Sequence, residues 1–238
     1  MTPSPSVGAL QNLQARVVRC RRCPRLVAYR ERVAEERVRR FSAEAYWGKP
    51  LPGFGDPAAQ LLIVGLAPAA HGGNRTGRMF TGDRSGDFLF RALHGAGFAS
   101  QPDSLRRDDD LQLWNCYITA AVRCAPPANK PTPVEFAACR PYLVEEIRLL
   151  ARLRAVVALG AIAFRAFLTA WAEAGRSTPH GTLRFSHGLQ VDLSGGVLLL
   201  ASYHPSQRNT QTGLLTPAML AQVFAQARQA LVVPEQTP

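Results

Sequence analysis

Four short apolar runs constrain the fold of this chain more than any other feature of its sequence. Each run has the length of a β-strand that is buried on both faces, and helical patterns lie between the runs. Strands that alternate with helices predict a parallel sheet with helices on both sides. We therefore expect an α/β fold, a three-layer sandwich whose central, mainly parallel sheet has four strands. The runs are Leu61–Leu66, Leu113–Ala120, Ala155–Leu159 and Val197–Ser202, and the helical patterns are Ser85–Ala96, Pro133–Arg152, Ala161–Ala174 and Pro217–Leu231.

The rest of the chain predicts a helical extension and one edge element. Residues 1–55 lack a strand pattern, so we expect a helical N-terminal extension, attached to a single domain that spans residues 1–238. The weak alternation of Leu183–Leu193 predicts a hairpin at the edge of the sheet. Residues 1–6 and 233–238 are expected to fray. A chain of 238 residues with 47% hydrophobic side chains is long enough for one large domain.

Four cysteines in two separated pairs indicate a metal centre. Cys20 and Cys23 have the spacing that lets two thiolates reach one metal, and Cys124 and Cys139 flank a proline-rich stretch about a hundred residues downstream. The sequence has no secretory signal and no apolar run of membrane-spanning length, so we expect a cytoplasmic protein. In a reducing compartment these cysteines favour Zn²⁺ or an iron–sulfur cluster over disulfides. A shared centre would tie the extension to the middle of the chain.

The formal net charge of +11 is concentrated near the N-terminus. Ten arginines and three glutamates lie between Arg16 and Arg40, a composition that suits a polyanion because arginine grips phosphate bidentately. Only two of the basic residues, Lys49 and Lys130, are lysines. A genome rich in G and C would produce the same bias without any functional demand. The charge alone does not choose between these interpretations.

Three unusual segments follow strands of the predicted sheet. In an open parallel sheet, ligands bind beyond the carboxyl ends of the strands. The segments Gly65–Asp83, Cys124–Pro133 and Tyr203–Gly213 each begin at or just beyond such an end. We therefore expect these three loops to converge on one cleft.

The first loop contains neither of the common glycine-rich phosphate-binding patterns. Phe80 lies in a polar, glycine-rich context, where it could stack on a planar ring or anchor the core. Asp83 is the loop's only carboxylate, and it could act on a ligand or cap the helix that follows. His71 could bind a ligand or hydrogen-bond within the loop, and the sequence does not decide.

The other two loops add an amide and an imidazole. Asn129 offers one acceptor and two donors in one plane, which can bind the edge of a base, although asparagine is also an ordinary turn former. His204 directly follows the last strand and could stabilise negative charge on a leaving group. A polar stretch suited to contacts with a nucleic-acid backbone lies beyond it. Its residues are Ser206, Gln207, Arg208 and Asn209.

Together these loops resemble the uracil-DNA glycosylase superfamily, and most closely its iron–sulfur-containing family 5. The Gly65–Asp83 loop is similar to that family's first motif, and His204–Pro205–Ser206 is similar to its last. The four cysteines match the family's cluster ligands in spacing and in their CxxCP and CAPPxNKPTP contexts. The resemblance extends from Cys20 to the final helix. It implies a [4Fe–4S] cluster, whereas the cysteine spacing alone leaves Zn²⁺ open.

The resemblance also implies an activity: excision of uracil from DNA, and in family 5 of bases such as hypoxanthine and ethenocytosine, which leaves an abasic site. Several glycosylase families carry a catalytic Asp, Asn or Glu in the first motif. Here Ala67 and Ala69 occupy that region and cannot activate water, which directs attention to Asp83, the match to the acidic residue of family 5's TGD. The sequence does not decide whether Asp83 acts on water or on the sugar cation. The Arg-rich insertion of relatives that form a covalent adduct with DNA is absent, so no covalent intermediate is expected.

These considerations assign roles to specific residues. The catalytic candidates are Asp83 and His204. The candidates for binding the extruded base are Phe80, by stacking, Asn129, by its amide, and the backbone of Gly65, Ala67, Pro68 and Ala69. Ser206, Gln207, Arg208 and Asn209 are expected to contact DNA and to fill the space that the base vacates. The partner would be DNA containing uracil or deaminated bases, bound by a monomer that works on the nucleoid of a prokaryote.

Two other functions fit parts of the pattern. One is a zinc-stabilised nucleic-acid-binding module without catalysis, in which the His204–Ser206 motif is an ordinary turn. The other is a hydrolase or transferase that acts on a free nucleotide, although the basic segment favours a long polyanion.

Overall fold

Four parallel strands form the centre of the computed structural model, which describes residues 5–179 and 181–231. Two short antiparallel strands complete the sheet at its edges, so the described sheet has six strands in the order β1-β3-β2-β4-β6-β5. The mainly parallel α/β class is confirmed and the count of four strands is wrong. The strands are β1 (Phe54–Gly55), β2 (Leu61–Gly65), β3 (Cys116–Ala120), β4 (Ala155–Leu159), β5 (Gln190–Leu193) and β6 (Val197–Ser202).

The two edge strands explain the error in the count. β1 has only two residues, in a Gly/Pro-rich stretch, and such a segment carries no periodicity. β5 alternates between exposed and buried residues and pairs antiparallel with β6. Only the end of the segment Leu183–Leu193 forms a strand, β5. The hairpin is made by β5 and β6 and does not lie within the segment. Leu113 makes only an isolated bridge to Ala99, so β3 begins three residues later than predicted.

Helices cover both faces of the sheet in the described residues. α1, α5 and α6 lie on one side, and α4 and α8 pack on the other. The predicted helices occur within one residue of their expected bounds, except that α5 ends at Leu149 instead of Arg152. The helices are α1 (Pro5–Val18), α2 (Pro24–Glu36), α3 (Gly73–Thr76), α4 (Arg84–Gly95), α5 (Pro133–Leu149), α6 (Ala161–Glu173), α7 (Gln207–Gln211) and α8 (Pro217–Leu231).

Burial on both faces of the central strands follows from their apolar runs. Along β2, Leu62 and Val64 belong to the core beneath α5 and α6, whereas Leu61 and Ile63 belong to the core beneath α4 and α8. All five residues of β2 are buried. The four parallel strands therefore hold the carboxyl edge of the sheet rigidly, and the loops that emerge there start from fixed positions.

Within residues 5–55 the regular elements are α1, α2, one 3-10 turn at Arg39–Phe41 and the two residues of β1, and residues 42–53 form neither helix nor strand. Ion pairs from Arg16 to Glu145 and from Arg25 to Glu135 join this N-terminal extension to α5. The expected fraying of residues 1–4 and 233–238 lies outside the described residues, whereas Pro5 and Ser6 form the start of α1. None of the described helices is long and apolar enough to cross a lipid bilayer.

Candidate active site

The three predicted loops meet at one cleft of about 1180 Å³ at the carboxyl edge of the sheet. Strand register brings them together, because Gly65 at the end of β2 is paired with Ala120 at the end of β3, and Leu159 with Ser202 in the same way. The loops begin side by side as a result. Residues of all three, including Phe80, Asn129 and His204, line the cleft.

Phe80 lies between the core and the cleft. Its backbone has φ of 52°, a left-handed conformation that is rare for an aromatic residue and costs free energy. Gly65 makes room for the ring, since a Cβ added there would lie 2.8 Å from the Phe80 Cζ. The ring also packs against the core beneath α4 and its centroid is 6.0 Å from that of His204. Phe80 therefore anchors the core and presents part of its ring to the cleft.

Asp83 caps α4 and lines the cleft at the same time. Its Oδ1 accepts the N–H of Gly86 at 3.0 Å, so the predicted capping contact is present. Its Oδ2 lies close to Gly72, where an added Cβ would be 2.0 Å away. Burial raises the pKa of Asp83 above its ordinary value, although N–H groups of Gly86 and Ser85 act in the opposite direction. The carboxylate is desolvated, which increases its attraction for a nearby positive charge.

His204 is a neutral imidazole at physiological pH. Burial lowers its pKa to about 4, and two hydrogen bonds to its carbonyl hold its backbone, one from the Ser206 N–H and one from the Asn209 Nδ2, both at 2.8 Å. Gly160 packs against its Cβ. A neutral ring carries one N–H donor and one acceptor. His204 can therefore donate a hydrogen bond without contributing a full charge.

Some of the remaining predicted side chains are hydrogen-bonded within the protein, and the others have no such partner. Asn129 is exposed at the rim with φ of 55°, and its amide has no hydrogen-bond partner among the described residues. Ser206 caps α7 and Asn209 is bound to His204, so both side chains are used inside the loop. Gln207 and Arg208 are exposed and line the cleft. Two of the four predicted DNA contacts thus have free side chains.

In the part of the chain that the structure describes, three residues of the first loop that line the cleft have unpaired backbone donors. The N–H groups of Ala67, Ala69 and Ala70 have no hydrogen-bond acceptor within the described residues, and all three residues line the cleft. Unpaired N–H groups near a site where negative charge develops can act as an oxyanion hole. Pro68 contributes no N–H and fixes its own φ between them.

The four cysteines of the predicted metal centre line a second, much smaller cavity. All four are free thiols, and burial raises the pKa of Cys124 to about 12 and that of Cys139 to about 11. The described residues contain no group of three or more His, Cys, Asp or Glu side chains placed to hold a single metal ion. The cavity is lined by Cys20, Cys23, Cys124 and Cys139, with Arg123 among their neighbours.

Buried arginines beside the thiols provide a test of whether a negatively charged cluster fits. Arg30 is 2% exposed, and its Nε and Nη1 have no hydrogen-bond partner in the described residues. Its charge lowers the pKa of Cys124, in opposition to burial. The Nε of Arg123 also has no hydrogen-bond partner in the described residues. The backbone N–H of Arg123 donates to the Cys139 Sγ at 3.4 Å. The Arg123 guanidinium is paired with Glu146, but its charge still lowers the pKa of Cys139. The positive charge beside Cys124 and Cys139 fits a centre whose thiolates are negative.

Several arginines and one leucine at or beside the cleft were not singled out from the sequence. Arg75 donates to the carbonyls of His71 and Gly82 and pairs with Glu44, so it holds the first loop together. Arg78 pairs with Asp109. Arg40 and Leu105 line the cleft. Two features of the sequence could have pointed to these residues: Arg75 and Arg78 lie inside the first loop, and Leu105 is the one apolar residue in the polar run DSLRRDDD.

The sequence is similar to one protein family and to named members of that family. A family model described as the uracil DNA glycosylase superfamily matches residues 52–228. A type-5 uracil-DNA glycosylase of Mycobacterium leprae (strain TN) is 51% identical over 227 residues, 95% of this chain and 97% of the relative. That of Thermus thermophilus is 53% identical over 210 residues, 88% and 93% of the two chains. A type-4 uracil-DNA glycosylase of Pyrobaculum aerophilum is 32% identical over 160 residues, 67% and 64% of the two chains. The chain therefore belongs to the uracil-DNA glycosylase superfamily and, within it, to the type-5 branch.

Proposed function

We propose that this protein hydrolyses the N-glycosidic bond of uracil in DNA and leaves an abasic site. The observation that supports this most strongly is the meeting of Phe80, Asn129 and His204, from three separate loops, in one cleft. The relatives that cover nearly the whole chain are named for the same activity. A non-catalytic binding module would not require this convergence.

The size of the cleft suits an extruded nucleotide. A duplex hides the glycosidic bond, so the target nucleotide must leave the stack before the reaction. A cleft of about 1180 Å³ has room for the base, its sugar and the flanking phosphates. Gln207 and Arg208 lie at its edge with exposed side chains, where they can contact the DNA backbone.

Base recognition is assigned to Phe80 and Asn129. The exposed part of the Phe80 ring offers a face for the planar base. The Asn129 amide can turn either its donor or its acceptor side toward the base, because no described residue holds it. This freedom supports a range of substrates wider than uracil, and we include hypoxanthine and ethenocytosine in the proposal.

Departure of the base is the step that the site can assist most. As the bond between C1′ and the base nitrogen breaks, the electron pair moves to the base and the sugar becomes positively charged. The neutral His204 and the unpaired N–H groups of Ala67, Ala69 and Ala70 can donate hydrogen bonds to the oxygen that gains negative charge. Water then adds to C1′ and loses a proton. The departing base, which carries the electron pair, takes up one proton and leaves as the neutral base.

Asp83 supplies the negative charge of the site. Its desolvated carboxylate can stabilise the cationic sugar or orient the water that adds to it. Its Oδ1 is occupied by the Gly86 N–H, so its Oδ2 is the oxygen available for this role. With one carboxylate rather than two, stabilisation of the leaving base carries more of the catalysis than general-base attack.

A [4Fe–4S] cluster bound by Cys20, Cys23, Cys124 and Cys139 would have a structural role. The support comes from the free thiols around one cavity and from the unpartnered guanidinium atoms of Arg30 and Arg123. The cluster would fix α2 against the loop that carries Asn129. Zn²⁺ on the same cysteines is the alternative. The single-domain organisation, the monomeric state and the cytoplasmic location remain predictions.

We expect the purified protein to convert duplexes that contain uracil, hypoxanthine or ethenocytosine into alkali-labile products at the modified position. Strand cleavage on a denaturing gel after alkali treatment measures this. The matched control is the same duplex with thymine in place of uracil. A protein that leaves all three bases in place, or that acts on free nucleoside monophosphates instead, would contradict the proposed function.

Loss of one cluster ligand should remove the metal and destabilise the N-terminal extension. We expect protein purified without oxygen to be coloured and to contain iron, and Cys124→Ala to lose both properties because one of four thiolate ligands is missing. Cys116→Ala is the matched control, because Cys116 is buried in β3 away from the cavity. Iron analysis, with zinc measured in the same sample, decides between the two metals.

A further inference from the structure

Leu105 differs from every other apolar side chain at the surface of the described residues. Five large hydrophobic side chains are exposed there, and only Leu105 lines the cleft. It is 57% exposed at the rim. The exposed apolar surface of Leu105 would be stabilised if a partner that enters the cleft covered it. The five are Leu105, Trp114, Val134, Ile162 and Leu214.

The loop that carries Leu105 is held rigidly by one carboxylate. Asp109 accepts the N–H groups of Leu105 at 2.8 Å and of Arg106 at 3.1 Å. The same carboxylate is bound by Arg78 at 2.7 and 2.8 Å, and the pair is nearly buried. Arg78 also donates to the Ser104 Oγ at 2.8 Å. Leu105 is therefore presented to solvent by a fixed backbone, as a preorganised contact would be.

This loop is bonded directly to the segment that carries Asp83. The Gly82 N–H donates to the Ser104 carbonyl at 2.8 Å, and Arg75 donates to the Gly82 carbonyl at 2.9 Å. The position of Leu105 relative to Asp83 is consequently set by main-chain hydrogen bonds. A side chain in this position can act on the same nucleotide that reaches the cleft.

The chemistry of a flipped nucleotide calls for such a side chain. When a base leaves the stack, its neighbours lose their contacts, and DNA-binding proteins often insert an apolar wedge at that point. The loop after His204, to which the filling of that space was first assigned, presents Gln207 and Arg208 with polar exposed side chains. Arg106 flanks Leu105 at the rim, where it can meet the adjacent phosphate.

We propose that Leu105 is the wedge that enters the duplex and occupies the space left by the extruded nucleotide. This inference rests on the proposed excision of bases from DNA and assigns the insertion step to the loop between α4 and β3. Leu105 contacts the DNA stack and not the reacting atoms, so its role is to hold the extruded state open.

The test compares Leu105→Ala with Leu214→Ala, a second half-exposed leucine that lies outside the cleft. We expect Leu105→Ala to slow single-turnover excision of uracil from a U·A duplex by about 10- to 100-fold, with a smaller loss on a U·G mismatch and little on single strands, because unstacking is easiest where pairing is weak. Leu105→Phe should keep most of the duplex rate. Leu214→Ala should match the wild type on every substrate.

A second readout follows base extrusion itself. With 2-aminopurine beside the uracil, the wild type should raise fluorescence on binding, and Leu105→Ala should not. Equal duplex rates for Leu105→Ala and wild type, an equal loss on single strands, or a loss confined to Leu214→Ala would overturn the wedge assignment. A wild type that leaves uracil in place in both duplex and single-stranded DNA would overturn the proposed function instead, and the fluorescence signal still tests the wedge.

Discussion

We expect His204→Ala to lower the single-turnover rate of uracil excision by about 100- to 1000-fold, the usual cost of removing one oriented donor at a developing charge. Binding to uracil-containing DNA should change little, because the imidazole contacts the leaving base and not the phosphates. The fold should persist, since the bonds that hold this segment run from Ser206 and Asn209 to the backbone carbonyl of residue 204, which alanine retains.

The pH dependence separates the two catalytic candidates. Burial lowers the pKa of His204 to about 4, so the imidazole stays neutral over the range in which an ordinary histidine titrates. Burial raises the pKa of Asp83, and its active form is the carboxylate. The rate should therefore begin to fall on acidification at a higher pH than for an exposed aspartate, because Asp83 gains a proton, and His204 should be protonated only near its own pKa of about 4.

Asp83→Asn tests that assignment without removing the helix cap. Asparagine caps helices about as well as aspartate, so the variant changes the charge and keeps the contact with the Gly86 N–H. We expect a slow rate that no longer declines as the pH is lowered through the pKa of Asp83. His94→Ala, at the exposed end of α4, is the control for loss of a histidine. Near-normal rates in His204→Ala and Asp83→Asn would remove both residues from the mechanism.

The convergence of the loops was predictable because it depends on strand order and direction alone. Once four apolar runs are assigned to a parallel sheet, the ends of β2, β3 and β6 must lie at one edge. Phe80, Asn129 and His204 follow those ends and were placed together for this reason. The sequence left open whether Asp83 caps α4 or acts on a ligand. The structure shows the cap and places Asp83 at the cleft, and its action on a ligand stays a prediction.

The buried arginines were not predictable from the same sequence. Counting charges treats Arg25 and Arg30 as parts of one basic patch. In the fold, Arg25 pairs with Glu135 and Arg30 is buried beside Cys124. Such partners lie about a hundred residues apart in the chain, so only the tertiary contacts reveal them. The basic segment consequently offers less free charge to a polyanion than its composition indicates, because Arg16 and Arg25 pair with carboxylates outside the segment.

Arg123 and Glu146 form the most deeply buried ion pair described, with both side chains 1% exposed. Glu146 also accepts a hydrogen bond from the Thr119 Oγ1 at 2.7 Å, so it joins α5 to β3 and to the segment before Cys124. Although burial opposes its charge, Glu146 keeps the pKa of Arg123 above the ordinary value. An ion pair of this kind is costly to desolvate, and removing one partner leaves the other charge uncompensated.

We therefore expect Glu146→Leu to lower the free energy of unfolding by about 3–5 kcal/mol, measured by urea denaturation. The adjacent Glu145→Leu is the matched control, because Glu145 pairs with Arg16 at the surface and such pairs contribute about 1 kcal/mol or less. The double variant Arg123→Met/Glu146→Leu should recover most of the loss, since two apolar side chains of similar volume leave no buried charge. If the double variant is as unstable as Glu146→Leu, the hydrogen bond to Thr119 and the packing of residue 146, and not the uncompensated charge of Arg123, account for the effect.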